Sequence, residues 1–180
     1  LSDNWRAVVR RPNDIQAVMD AASASGGMFE GLINTELVAV IGHSSGGYTA
    51  LAAAGGRIDV AGFTSRCEAE LAAHNPDAWL CDIFLPNVTN MAELAGVDPM
   101  LDDLWPSWEI PGVDAVVVFA AEAILFDQAG LAEITTPVMS IGGTHDFGTP
   151  YEWGTLPTYQ HISSSEKILV AYNGADHIVF

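Results

Sequence analysis

An apolar run of strand length that breaks into a glycine-flanked serine constrains this sequence more than any other feature. Leu37 to Ile41 is continuous and rich in β-branched residues, which predicts a strand buried on both faces. Tyr48 to Ala54 is a run of small helix formers, closed by Gly55-Gly56. Gly42-His43-Ser44-Ser45-Gly46 lies between them, so the sequence predicts a sharp turn from a buried strand into a helix.

The serine on this turn has the surroundings of a nucleophile elbow. A serine held on a sharp strand-to-helix turn has a strained backbone, so the residues two before and two after it have to lack bulk. Gly42 and Gly46 occupy those two places. Gly-x-Ser-x-Gly alone also occurs in ordinary glycine turns, and the flanking strand and helix make the pattern specific. Ser44 is therefore the predicted nucleophile, and the backbone N–H of Ser45 is a predicted oxyanion donor.

Composition limits the classes of protein to which the chain can belong. Its 180 residues, of which 49% are hydrophobic, predict a single globular domain over 1–180 with one sizeable core. No window approaches the roughly 18 apolar residues of a membrane span, so no integral membrane segment is predicted. Six Lys and Arg against 23 Asp and Glu give a net charge of −17, which disfavours nucleic acid and anionic membranes as partners. These features leave the oligomeric state open.

The two cysteines bear on the location of the protein. Cys67 and Cys81 lie close in sequence, and a disulfide between them would contribute about 3 kcal/mol by closing a loop of about 15 residues. A disulfide implies an oxidising compartment, so a secreted or periplasmic location is expected. Two buried free thiols, and with them a cytoplasmic location, are the alternative.

The rest of the sequence alternates between helical and strand patterns. Pro12 predicts a helix start, and Gly26-Gly27 predicts the end of that helix. The irregular region 57–111 is predicted to be a cap-like excursion beside the sheet. Further strands are predicted at Val113 to Ala120, Pro137 to Ile141 and Lys167 to Tyr172, and a helical stretch at Gln128 to Ile134. This order predicts an α/β domain with a mostly parallel sheet, whose sites lie at the carboxyl ends of the strands.

The loops after the last two predicted strands supply an acid and a base for Ser44. Thr144-His145-Asp146 follows one strand, and Gly174-Ala175-Asp176-His177 follows the other. A serine hydroxyl needs a base to take its proton, and the base needs a third group to orient it. We therefore predict His177 as the base and Asp146 as the orienting acid. Asp176 is a rival acid, although a residue adjacent to a histidine rarely reaches the same imidazole productively.

Aromatic residues near these loops are candidates for a substrate pocket. His43 precedes the nucleophile, and Phe147 and Trp153 follow the acid loop, where they are predicted to line a pocket or, alternatively, to pack as ordinary aromatics. No metal site is predicted, because the histidines and cysteines lack close ligand spacing. No cofactor is predicted either, since the sequence has no phosphate loop and no dinucleotide fingerprint.

Four segments carry a family resemblance, namely Arg11-Pro12-Asn13-Asp14-Ile15, the Gly-His-Ser-Ser-Gly-Gly elbow, Thr144-His145-Asp146 and Gly174-Ala175-Asp176-His177. Together they resemble the dienelactone hydrolase-like and platelet-activating-factor acetylhydrolase-like branch of the α/β-hydrolase superfamily. The resemblance covers most of the chain and is weakest within 57–111. It implies an α/β-hydrolase fold and a cofactor-free serine hydrolase that forms an acyl-enzyme on Ser44 from a small-molecule or lipid-like ester. True dienelactone hydrolases use a cysteine, so the serine favours an ordinary esterase.

The chain departs from the family at its amino-terminal side. There, the family has several strands and a second oxyanion donor before the Arg-Pro helix, whereas about ten residues precede it here. We therefore expect a carboxyl-terminal part of the fold that lacks the amino-terminal strands and has exposed sheet edges. Two alternatives to an esterase stay open: a peptidase or thioesterase on the same fold, and a noncatalytic binding protein that keeps the fold.

Overall fold

A parallel sheet with helices in its connections forms the framework of the protein. The computed structural model describes residues 4–98 and 104–180. Its helices and strands are α1 (Asn4–Ser23), β1 (Val38–His43), α2 (Ser45–Ala53), α3 (Val60–Ala72), α4 (Trp79–Phe84), α5 (Val88–Ala95), β2 (Val113–Phe119), α6 (Asp127–Ala132), β3 (Val138–Gly143), α7 (Thr155–His161) and β4 (Lys167–Tyr172). These four described strands pair in parallel in the order β1-β2-β3-β4. The structure thus has the predicted α/β architecture, with the carboxyl ends of all four strands at one edge.

The beginning of α1 corrects the predicted helix start. The sequence places the start at Pro12, but the helix already includes Asn4 and has Pro12 in its interior. Trp5, Val8 and Val9 are buried beside Pro12. Their burial outweighs the loss of the backbone hydrogen bond that a proline cannot donate, since tertiary packing provides most of a helix's stability.

The two faces of the sheet differ in burial. Val116 and Val118 of β2 are buried, as are Val138 and Ser140 of β3, and all four side chains lie on the same face. Helix α7 packs on this face, where the hydroxyl of Ser140 donates a hydrogen bond to the carbonyl of Thr155. This face carries the core of the protein.

The opposite face corrects the prediction that β1 is buried on both sides. Ile41, Val117, Met139 and Ile168 are neighbours in register, one from each strand, and we call this row the open face. The side chain of Ile41 is 65% exposed and that of Ile168 is 52% exposed. A continuous apolar run indicates a strand, but its burial depends on what packs against it, and α2 and α7 pack on the other side.

The excursion predicted for 57–111 is helical, and its residues 99–103, like residues 1–3, lie outside the described residues. Phe63, Leu80, Phe84 and Met91 of α3 to α5 belong to the same apolar cluster as the buried residues of the sheet. Cys67 of α3 and Cys81 of α4 are joined by a disulfide, with their Cα atoms 5.4 Å apart. The excursion therefore shares the core of the sheet, and a disulfide joins two of its helices, α3 and α4.

Candidate active site

Ser44 occupies the turn between β1 and α2, in a backbone conformation that is uncommon for a residue with a side chain. Its φ is 56° and its ψ is −121°. Its N–H donates to the carbonyl of Phe119 (2.9 Å), and its own carbonyl accepts from the N–H groups of Tyr48 (3.2 Å) and Glu122 (3.1 Å). These hydrogen bonds hold the strained turn in place. Ser45 is the first residue of α2, where backbone N–H groups lack an intrahelical acceptor and are available to an anion.

Close backbone contacts around the turn explain two of its glycines and correct the role of a third. A Cβ on Gly42 would overlap the backbone of Gly46, and a Cβ on Gly47 would lie 2.9 Å from Ala121. A Cβ on Gly46 would meet nothing within 4 Å. The Gly-x-Ser-x-Gly pattern predicts that small residues are needed at Gly42 and Gly46, whereas the contacts require them at Gly42 and Gly47. The backbone of Gly46, rather than its missing side chain, fills the space beside Gly42.

The predicted base and acid lie in line with Ser44. The Nε2 atom of His177 is 2.9 Å from the Oγ atom of Ser44, and its Nδ1 atom is 2.9 Å from Oδ2 of Asp146. Asp146 is buried, and its Oδ1 atom accepts hydrogen bonds from the N–H groups of Gly148 and Thr149, each 2.8 Å long. These contacts fix the carboxylate, which can orient the imidazole and offer its far nitrogen to the serine hydroxyl.

The rival acid has a different partner. Oδ1 of Asp176 accepts a hydrogen bond of 2.6 Å from the backbone N–H of His177. Asp176 thus caps the main chain of its neighbour, while the carboxylate against the imidazole is that of Asp146.

His43 contacts the base from the other side. Its Nε2–H donates to the backbone carbonyl of His177 over 2.8 Å, and the two imidazole rings have their centroids 4.6 Å apart. His43 was predicted as a pocket residue, and the structure places it as a support for the segment that carries His177.

Thr149 and Gly148 take part in the site although the sequence analysis did not single them out. The hydroxyl of Thr149 donates to the carbonyl of Ala120 (2.7 Å) and lies 3.3 Å from both Oδ2 of Asp146 and Nδ1 of His177. A Cβ on Gly148 would lie 2.6 Å from Cγ of His177. The closeness of a glycine and a threonine to the predicted acid is the one sequence signal that points to them.

Glu122 is a third residue of the site that the sequence did not predict. Its side chain is 3% exposed, and its Oε2 atom accepts a hydrogen bond of 2.7 Å from the Oγ–H of Ser45. Burial raises the pKa of Glu122, and the hydrogen bond from Ser45 and the charges of Arg11 and His177 partly oppose that rise. Its sequence signal is a lone carboxyl group in the apolar stretch 119–126 after a strand.

The two predicted aromatic pocket residues border a cavity of about 460 Å³ beside the acid loop. Its walls include Asn75, Asp77 and Tyr151, but His43 is not among them. Phe147 is 73% exposed, whereas Trp153 is 6% exposed and belongs to the apolar core. Of the two rings, that of Phe147 is the one that solvent or a ligand can reach.

Residues 4–98 and 104–180 include neither a candidate metal site nor a candidate membrane span. In those ranges no group of three or more His, Cys, Asp or Glu side chains is arranged to hold a metal ion. No helix there combines the length and the apolar character that a membrane crossing requires.

The likeness of this chain to known proteins lies among solved structures. No protein-family model matches the sequence, and no curated protein matches it. A solved structure similar to this chain is the crystal structure of the Paleococcus ferrophilus monoacylglycerol lipase, with a TM-score of 0.44, 18% identity, and coverage of 96% of this chain and 68% of that one. The parallel sheet, its helices and the serine on the strand-to-helix turn give the chain an α/β-hydrolase-like fold with a reduced sheet.

Proposed function

We propose that this protein is a serine hydrolase that cleaves carboxylic esters, of the dienelactone hydrolase-like and platelet-activating-factor acetylhydrolase-like branch. The observation that supports this proposal most is the unbroken line from the hydroxyl of Ser44 through His177 to Asp146, with both contacts at 2.9 Å. Three groups from separate loops in this order match what activation of a serine requires.

The first half of the proposed reaction forms an acyl-enzyme. The Oγ atom of Ser44 attacks the ester carbonyl carbon while its proton passes to Nε2 of His177, and the carbonyl π electrons move onto the oxygen. The N–H of Ser45 stabilises this oxyanion, and the carboxylate of Asp146 stabilises the imidazolium. When the intermediate collapses, the C–O bond to the leaving group breaks, and the departing alkoxide takes the proton from His177.

The second half releases the acid and restores the enzyme. Water attacks the acyl carbon, gives a proton to His177, and forms a second oxyanion at the same place. Collapse breaks the bond to Oγ of Ser44, which regains its proton from His177. The steps use the side chains of the site and one water, and they produce one alcohol and one carboxylic acid.

The surroundings of the site suggest an apolar acyl or alcohol group in the substrate. The exposed ring of Phe147, next to Asp146, lines the cavity beside the acid loop and offers apolar contact area there. A small-molecule or lipid-like ester has such a group. The net charge of −17 also favours neutral esters over polyanionic substrates.

We further propose that the protein works in an oxidising compartment, as a secreted or periplasmic protein. The bond between Cys67 and Cys81 supports this location, because structural disulfides persist where thiols are not kept reduced.

Labelling with a fluorophosphonate tests the proposed function. An activated serine displaces fluoride from such a probe and gains a stable phosphonyl group, so intact mass should show a single adduct that is absent from Ser44→Ala. Turnover of matched ester, thioester and amide substrates then identifies the preferred bond. A folded, unlabelled wild-type protein would contradict the proposal and favour a noncatalytic hydrolase fold.

A further inference from the structure

Glu122 is a buried carboxyl group that the proposed reaction steps do not use. It follows β2 and contacts Ser44 and Ser45 of the elbow. Its backbone N–H donates to the carbonyl of Ser44 (3.1 Å), and its Oε2 atom accepts from the hydroxyl of Ser45 (2.7 Å). Glu122 is therefore hydrogen-bonded to Ser44, the proposed nucleophile, through its main chain and to Ser45, the proposed oxyanion donor, through its side chain.

The loop that carries Glu122 is tightly confined. A Cβ on Gly47 would come within 2.9 Å of Ala121, and a Cβ on Gly154 would overlap the carbonyl of Ala121. Ala120 has a φ of 45°, which is a strained value for a residue with a side chain. The loop thus packs closely against α2 and the start of α7. Because the loop has little room to move, we expect a substitution at Glu122 to displace the elbow.

The surroundings of the carboxyl group favour its protonated form. Its Oε1 atom is buried without a hydrogen-bond partner among the described residues, while its Oε2 atom accepts the hydrogen bond from the hydroxyl of Ser45. Burial raises the pKa of Glu122. The facing groups are Ser45 and Tyr48 on α2, Arg11 on α1 and His177 after β4. Of these, Ser45, Arg11 and His177 partly oppose the rise in the pKa.

The charge of Glu122 would matter for the reaction. The side chain accepts a hydrogen bond from the hydroxyl of Ser45, whose backbone N–H donates to the oxyanion in the proposed mechanism. A carboxylate at this place would repel that developing negative charge in a site of low dielectric, whereas a neutral acid would not.

We propose that Glu122 is a positioning residue that holds the backbone N–H of Ser45 in place for the oxyanion, and that it does so as an uncharged carboxylic acid. The positioning role rests on the proposed function, because it concerns the oxyanion of that reaction. The charge state does not depend on activity and is tested separately.

The pH dependence of unfolding tests the charge state. A raised pKa means that the folded protein binds a proton more tightly than the unfolded chain, so its stabilising effect is complete below the unfolded value of about 4.5 and is lost as pH rises toward the folded value. Glu122→Gln cannot titrate. The urea midpoint of the wild-type protein should therefore fall relative to that of Glu122→Gln as pH rises above about 4.5, while Glu36→Gln, at an exposed position, follows the wild type. Parallel wild-type and Glu122→Gln curves would overturn the uncharged state.

The rate at which a fluorophosphonate labels Ser44 tests the positioning role. We expect labelling of Glu122→Ala to be at least about tenfold slower than that of the wild type, because a displaced oxyanion donor stabilises the transition state poorly. Glu122→Gln, which keeps an acceptor for Ser45, should recover part of the rate. The ratio of the wild-type labelling rate to that of Glu122→Gln should also decline as pH rises and Glu122 loses its proton.

A double-mutant cycle with Ser45→Ala separates positioning from a general loss of structure. Ser45→Ala removes the same hydrogen bond from the other side, so the double variant Ser45→Ala, Glu122→Ala should label no more slowly than the slower single variant. If Glu122→Ala does not fold, Glu122→Gln and Ser45→Ala carry the comparison. If the wild type is labelled and Glu122→Ala is labelled equally fast, the positioning role is overturned but the proposed function is not. If the wild type shows no Ser44-dependent labelling, the proposed function is overturned and the positioning role with it. The unfolding curves still decide the charge of Glu122.

Discussion

The strained backbone of Ser44 depends on how closely β1 approaches α2. Gly42 lies against the backbone of Gly46, so a methyl group at position 42 would push the strand away from the helix. At position 46 the same methyl group would point into open space. The Gly-x-Ser-x-Gly pattern treats the two glycines alike, but the contacts do not.

We expect Gly42→Ala and Gly46→Ala to differ in stability. Gly42→Ala should lower the free energy of unfolding by about 2 kcal/mol or more, as overpacking does. Gly46→Ala should leave it unchanged or raise it by up to about 1 kcal/mol, because alanine is the better helix former in α2. Urea unfolding of both variants checks this, and equal destabilisation by the two substitutions would contradict it.

The two acids beside the base are also distinguishable by substitution. Asp146→Asn keeps the shape of the side chain but no longer holds the required tautomer of His177, so ester turnover should fall by about 10⁴-fold. Asp176→Asn retains an oxygen for the N–H of His177 and should change turnover by less than about tenfold. Steady-state kinetics on one ester compares them. A larger loss in Asp176→Asn would assign the acid role to Asp176 instead.

The sequence alone predicts which residues form the candidate triad contact but not those that support it. Ser44, Asp146 and His177 each follow a predicted strand, and parallel strands bring their carboxyl ends to one edge. Glu122, in the loop after β2, contacts Ser45 of α2, and Thr149, in the loop after β3, contacts Ala120. These contacts depend on packing that no local sequence pattern encodes. Glu122 lies 77 positions along the sequence from its partner Ser45, and Thr149 lies 29 positions from its partner Ala120.

At the scale of elements, the disulfide links two helices that residues 73–78 connect along the chain. Cys67 lies in α3 and Cys81 in α4, and both are fully buried. Arg66, the neighbour of Cys67, has its guanidinium 5.2 Å above the ring of Trp153, near the acid loop. The position of α3 therefore bears on the surroundings of the candidate site as well as on stability.

Removal of the disulfide should lower the free energy of unfolding by about 3 kcal/mol, mainly because the unfolded chain gains freedom. Urea unfolding with and without a reductant measures the loss. The variant Cys67→Ala, Cys81→Ala is the control, because its unfolding should not respond to the reductant. Two free thiols in denatured, unreduced protein would contradict the bond itself.

The prediction of elements succeeded where local pattern decides and failed where packing does. β4 has the predicted bounds, and the predicted strands at β2 and β3 differ from the structure by at most two residues at either end. The beginning of α1 was wrong, because the burial of its first turns overrides the proline signal. The burial of β1 was also wrong, since an apolar run does not reveal whether a second layer covers the strand.

At the scale of the whole molecule, two features have opposite effects on association. The net charge of −17 makes copies of the protein repel one another. The open face presents Ile41 and Ile168 in an apolar row that crosses all four strands. Exposed apolar patches favour association, and their effect is not weakened by salt.

The balance between these effects should therefore depend on ionic strength. The Debye length falls from about 30 Å at 0.01 M salt to about 3 Å at 1 M, so added salt removes the repulsion while the apolar attraction stays. We expect the weight-average sedimentation coefficient to rise between these two concentrations, and the rise to be smaller in Ile41→Thr, Ile168→Thr. Val18→Thr is the matched control, because Val18 is 65% exposed but belongs to α1 and not to the row of the open face. If the control reduces association as much as the double variant, or if added salt disperses the protein, the open face is not the surface through which copies associate.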